Sequence, residues 1–277
     1  MRVFKGISSE LPDHLLLLET VSMWGLVLSL VLSLGAVPPT QSIAPQKCAE
    51  LLRPWTALTR NFSDYACGGV LVHPQWVLST AHCQPQWMSM YFVGLRSMWA
   101  GGPMKYQIFS KVTRFPHPQF KESLLSNHHH ETKETYSHDL LLIRLPRPAR
   151  LDSKKQVVAL PSQEPQAGSR CYAYGWSFPG QVDFFHHFPT CLDVQLLPKA
   201  QCPVHRPVTD SLLCAGPMND QRDFCLHEAG IPLICDGVLQ GILTMDHIPC
   251  DSFTGKYLFT CVLENKKWIE DTIAQNT

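Results

Sequence analysis

The chain has 277 residues, with 23 acidic side chains balancing 23 basic ones. A zero net charge excludes a strong overall field for drawing in nucleic acid or an anionic membrane, and the length fits one large all-β unit once a leader is removed. Eleven cysteines, none in a Cys-x-x-Cys pair, point to an oxidising compartment and a disulfide framework and argue against a zinc site.

Residues 1–22 carry Glu10, Asp13 and Glu19 and little positive charge, so they read as an upstream extension, with Met23 as an alternative start. Residues 23–36, MWGLVLSLVLSLGA, are a continuous apolar run. At about 14 residues it is too short to span a bilayer and suits a signal-peptide core. Small residues at 33–36 offer a cleavage site; an uncleaved anchor is the alternative. Residues 37–47 form a linker like a residual pro-segment, and 48–277 form the folded domain. Asn61-Phe62-Ser63 is a glycosylation acceptor if the chain is exported.

Short β-rich runs follow, separated by Pro, Gly and Asn: 68–79, 139–145, 171–176, 192–197 and 238–244. This spacing predicts an all-β sandwich or barrel rather than alternating strands and helices. The polar stretch 121–138 reads as a surface loop. Its His128, His129 and His130, with His138, are a weak metal candidate against the plainer reading of a solvated loop, and His186-His187 in another loop are weaker still. Near the C-terminus, Trp268, Ile269, Thr272 and Ile273 fall at helical spacing and predict a docking helix over 262–275.

Three segments carry chemistry. Cys67 to Cys83 reads CGGVLVHPQWVLSTAHC, Tyr136 to Leu145 reads YSHDLLLIRL, and Cys225 to Cys235 reads CLHEAGIPLIC. The first two closely resemble the catalytic-histidine and catalytic-aspartate segments of trypsin-like serine proteases. The third resembles their catalytic-serine segment, with Ala229 where the nucleophile belongs. The long loop from Phe115-Pro116-His117-Pro118 to Asp139, the segment 235–241 and the C-terminal 268–273 resemble glandular kallikreins in particular.

The resemblance implies two six-stranded antiparallel β-barrels with a cleft between them, and a C-terminal helix. It implies the bridges Cys48–Cys191, Cys67–Cys83, Cys171–Cys235, Cys202–Cys214 and Cys225–Cys250, leaving Cys261 as a buried thiol or as an intermolecular link. His82 becomes the general base and Asp139 the carboxylate that orients it. Yet a methyl at 229 cannot attack a carbonyl carbon, and no neighbouring side chain is an obvious replacement.

Other departures point the same way. His227 stands where a glycine lends an N–H to the oxyanion hole, and Glu228 replaces the aspartate that receives a freed N-terminus. That N-terminus would be Ser42-Ile43-Ala44-Pro45, preceded by Gln41 rather than by Arg or Lys. Asp223 matches the acid that binds a basic substrate side chain, but Phe224 and Tyr257 are expected to fill the pocket. Thr244-Met245-Asp246 stands for the strand that pairs with extended substrate. The sequence thus predicts a secreted homologue without proteolytic activity that works by binding an extracellular protein, with no cofactor, no nucleic acid and no membrane. It is monomeric unless Cys261 bridges. A weak or altered serine endopeptidase is the alternative, and a chain without a selected role a third.

Overall fold

Three adjacent strands of the N-terminal half each serve two cores at once. The computed structural model describes residues 55–61, 66–84, 91–97, 105–120, 137–152, 155–177, 188–202, 209–218, 229–244 and 256–277. Strands β1 (Thr56–Asn61), β2 (Ala66–His73), β3 (Trp76–Ser79), β4 (Tyr91–Ser97), β5 (Lys105–Phe109), β6 (Thr113–Pro116) and β7 (Leu141–Arg144) pair antiparallel in the order β5-β4-β1-β2-β3-β7-β6. Because successive side chains point to opposite faces, Leu71, Val77, Leu141 and Ile143 enter the core inside this sheet, with Val93 and Phe109. Val70, Trp76, Leu78, Leu140 and Leu142 face the other way, into a core shared with the C-terminal half.

The outermost strands of this sheet, β5 and β6, are neighbours in sequence, separated only by Ser110, Lys111 and Val112. Lys111 has φ of +58°, in the region non-glycine residues seldom visit, and it bends the chain there. The two edges are therefore arms of one bent run that wraps the sheet around its core. This bend makes seven strands of an expected six.

The C-terminal half is a closed six-stranded barrel, as the family resemblance implies. Strands β8 (Arg170–Ser177), β9 (Phe188–Leu197), β10 (Leu212–Pro217), β11 (Pro232–Cys235), β12 (Val238–Leu243) and β13 (Tyr257–Cys261) close in the order β10-β13-β12-β11-β8-β9. Bridges join Cys171 to Cys235 and Cys202 to Cys214, while Cys67–Cys83 ties β2 to the turn after β3. Cys191 is also disulfide-bonded; Cys48, its expected partner, lies outside the described residues, as do Cys225 and Cys250. Cys261 is free, 2% exposed, and packs in the barrel core.

Helix α1 (Val262–Gln275) follows β13 directly and lays Val262 and Ile269 on the shared core. Trp268 meets the His117 ring edge-on at 4.6 Å, and His117 stacks on His138 at 4.6 Å. Burial, and secondarily the neighbouring His138, push His117 down to about 4. Its Nδ1 accepts the Gln119 N–H at 3.2 Å, which a proton on that nitrogen would abolish.

The halves meet backbone to backbone. The Gly68 N–H of β2 donates to the Ala229 carbonyl at 2.8 Å, and within the C-terminal half the Gly230 N–H donates to the Leu243 carbonyl at 2.9 Å. Gly230 has φ of +84°, and a Cβ there would stand 2.2 Å from the Gly68 oxygen. That oxygen also accepts the Ser79 hydroxyl at 2.7 Å.

Two outcomes follow for stability. Gly230→Ala combines a forbidden contact with positive φ and should cost about 3 kcal/mol or more; a urea midpoint unchanged from wild type would refute this contact. Between the ordinary His value of 6.5 and about 4, the unfolded chain holds a proton that folded His117 does not, so stability falls as pH drops through that window. Denaturation curves of His117→Phe, which keeps a stacking ring, should show a shallower loss between these limits than wild type; parallel curves would exclude His117 as a contributor.

Candidate active site

His82 sits in the 3-10 turn Ala81–Cys83, immediately after β3, where the Cys67–Cys83 bridge anchors it. Asp139 lies in the turn leading into β7 and is fully buried. His82 Nδ1 donates to Asp139 Oδ2 at 2.5 Å, and the His82 backbone N–H donates to Oδ1 at 3.0 Å. The Thr244 hydroxyl donates to Oδ2 at 2.7 Å. Burial alone would raise the Asp139 carboxyl, but the charge and ring N–H of His82, the Thr244 hydroxyl and the His82 amide hold it below the usual carboxylate range. With Nδ1 committed as donor, the neutral ring presents its lone pair at Nε2, the tautomer a general base requires. His82 Nε2 is buried with no hydrogen-bond partner among the described residues.

The turn holding Asp139 depends on His138. His138 has φ of +62°, and its carbonyl accepts the Leu140 N–H at 2.7 Å. Its Nδ1 donates to Asn265 Oδ1 at 2.7 Å, and Asn265 Nδ2 donates to the Cys261 carbonyl at 2.6 Å. His138 is thus tied to the first turns of α1 and stacked on His117, a buttress for the aspartate turn rather than a metal ligand. Asn265, 1% exposed, completes the tie; nothing in the sequence marked it beyond being a polar residue on the helix face that carries Ile269.

The Thr244 hydroxyl has a task of its own, since it is committed to Asp139. Tyr257 belongs to the core of the C-terminal barrel and is 7% exposed, with Phe259 and Leu243; β13 turns its ring inward. Ile231, in place of a glycine, is wholly buried in the same core.

Ala229 is 1% exposed and packs against Cys67 and Cys83, the bridge that anchors the His82 turn. Its backbone is engaged, but its side chain offers only a methyl group, so the position supplies neither a nucleophile nor a proton donor. His227, Glu228, Asp223, Phe224, Met245, Asp246, the triplet His128–His130 and the segment 41–45 lie outside the described residues. Asn61 ends β1, where its backbone pairs with Tyr91. Among the described residues, no group of three or more His, Cys, Asp or Glu side chains is placed to hold a metal.

A buried His–Asp pair beside a disulfide, between two antiparallel β halves, matches what known proteins show. Residues 43–269 match the Trypsin family. Kallikrein 1-related peptidase b3 of Mus musculus is 38% identical over 263 residues, covering 92% of this chain and all of that protein. Glandular kallikrein of Sus scrofa is 38% identical over 248 residues, covering 86% and 99%. Among solved structures, neuropsin, a serine protease expressed in the limbic system of mouse brain, superposes with a TM-score of 0.64 at 31% identity, over 81% of this chain and 96% of that one. The chain therefore belongs to the trypsin family of serine proteases and is glandular-kallikrein-like.

Proposed function

We propose that this protein is a secreted kallikrein-like homologue that has given up peptide-bond hydrolysis and acts by binding other proteins. One observation carries the reading: at the nucleophile position stands the buried methyl of Ala229, which has no proton for His82 to take. Removal of a catalytic serine alone lowers kcat by roughly 10⁶. The sequence adds independent losses: His227 for an oxyanion glycine, worth ~10²–10³ in rate, Glu228 for the receiving aspartate, Gln41 rather than Arg or Lys before Ser42, and Phe224 at the pocket. The apolar run 23–36 and the disulfides support export.

The intact His82–Asp139 pair is the observation that favours a second reading, a serine endopeptidase of weak or altered activity. A fluorophosphonate probe separates the two, because it reacts only with an activated serine. The purified protein should remain unlabelled; covalent labelling would overturn the binding reading in favour of the second. Ala229→Ser alone should restore no measurable hydrolysis of Arg or Lys ester substrates, since the pocket, oxyanion and activation changes persist. Turnover by that variant would show that the accessory losses matter little.

A further inference from the structure

Three rings from three separate elements meet beside the turn that carries Asp139. His117 follows β6, His138 precedes Asp139, and Trp268 belongs to α1. The two imidazoles stack with their planes 11° apart, and the indole meets the His117 ring at 64°. Polar bonds fasten the same corner. The His117 N–H donates to the Leu140 carbonyl at 2.9 Å, one residue beyond Asp139. Asn265 ties His138 to α1, and the Ser137 and Thr209 hydroxyls are bonded at 3.0 Å. His138 holds its φ of +62° inside this set of contacts, a conformation that a non-glycine residue keeps only while its surroundings enforce it.

The two imidazoles differ in where a second proton can go. His138 already donates from Nδ1, so a proton arriving at Nε2 leaves its bond to Asn265 in place. His117 accepts the Gln119 N–H at Nδ1, so its neutral ring carries hydrogen on Nε2 and the added proton must enter at Nδ1. There it meets an N–H, on a buried ring stacked 4.6 Å from another imidazole. No carboxylate among the described residues answers that charge. Asp139, in the adjoining turn, is engaged by His82 and Thr244. Within one turn of Trp268 on α1, Glu264 is exposed and Asp271 is bonded to Lys267. The charged side chain of β6 is Arg114, itself a cation. His138 is the group whose charge weighs on His117.

We propose that His117, His138 and Trp268 form an acid-operated latch, closed at neutral pH, whose opening loosens the Asp139 turn and the start of α1 while both β halves stay folded. The latch is independent of the binding reading and stands whatever position 229 can do. A proton on His117 Nδ1 expels the ring from its seat, and with the ring go the stack on His138 and the edge contact with Trp268. The closed latch excludes this proton and the open one admits it at the ordinary His value of 6.5, so opening becomes easier as pH falls from 6.5 to about 4. The opening stays local, because the bridges Cys67–Cys83 and Cys171–Cys235 and the strand ladders hold the two halves without these rings.

Hydrogen exchange of the purified full chain, read by mass spectrometry at about pH 7 and about pH 5, tests the latch. After correction for intrinsic exchange rates, peptides covering 138–140 and 262–269 should open about twentyfold more often at the lower pH, the factor that titration between the two His117 values gives. Peptides covering β12 should keep their protection. His117→Phe retains a stacking ring but no titratable nitrogen, and it should abolish the acid-dependent opening. Equal protection of the latch at both pH values, exchange that rises alike across β12, or His117→Phe opening as steeply in acid as wild type would each overturn the proposal. The first two outcomes are read on wild type alone, so the test does not depend on the variant folding.

Discussion

The crossing of two backbones at Gly68 and Gly230 is the constraint from which both the fold and the candidate site take their geometry. Gly68 donates to Ala229, the Gly68 carbonyl leaves no room for a Cβ at 230, and the Ser79 hydroxyl fixes that carbonyl. Every one of these interactions uses main-chain atoms or the absence of a side chain. Position 229 is therefore held by its neighbours' backbones and by the Cys67–Cys83 bridge, not by its own side chain. A serine hydroxyl there would contribute chemistry and almost no architecture. Loss of that hydroxyl leaves the crossing untouched, which explains how a chain can retain the whole fold around a changed nucleophile position.

The His82–Asp139 pair obeys the opposite logic. Asp139 is fully buried and accepts three hydrogen bonds, from the His82 ring, the His82 amide and Thr244. Removing a hydrogen-bond partner of the buried Asp139 carboxylate leaves that charge less satisfied, at about 1–3 kcal/mol or more. The pair thus holds structure together whether or not a proton is ever transferred through it: it links the turn after β3 to β7 and, through Thr244, to the end of β12. Its presence is weak evidence for turnover, and its absence would have been a stronger signal than its retention. The tie from His138 to Asn265 and on to the Cys261 carbonyl extends the same support to α1.

How much was legible in the sequence follows from which physical effects are local. Motif segments around His82, Asp139 and Ala229 could be placed because their residue order is specific, and α1 because one helix face repeats apolar residues at fixed spacing. The run DLLLIRL gave a strand but not its surroundings: it lacks alternation because Leu140 and Leu142 feed one core and Leu141 and Ile143 another. The seventh strand of the N-terminal sheet was invisible, since it arises from the backbone angle of Lys111, a residue with no turn signature. The role of His138 was not legible locally, because its partners are 21 residues back at His117 and 127 residues on at Asn265. Tyr257 was misread for a related reason: a one-residue uncertainty in register moves a strand side chain from the cleft to the barrel core.

The two halves are joined by polar as well as apolar means. Each closes around its own core and shares a buried apolar layer with the other, while the main-chain bond from Gly68 to Ala229 and the side-chain bond from Thr244 to Asp139 cross between them. A scaffold fixed by backbone crossings and bridges keeps this geometry whatever stands at position 229.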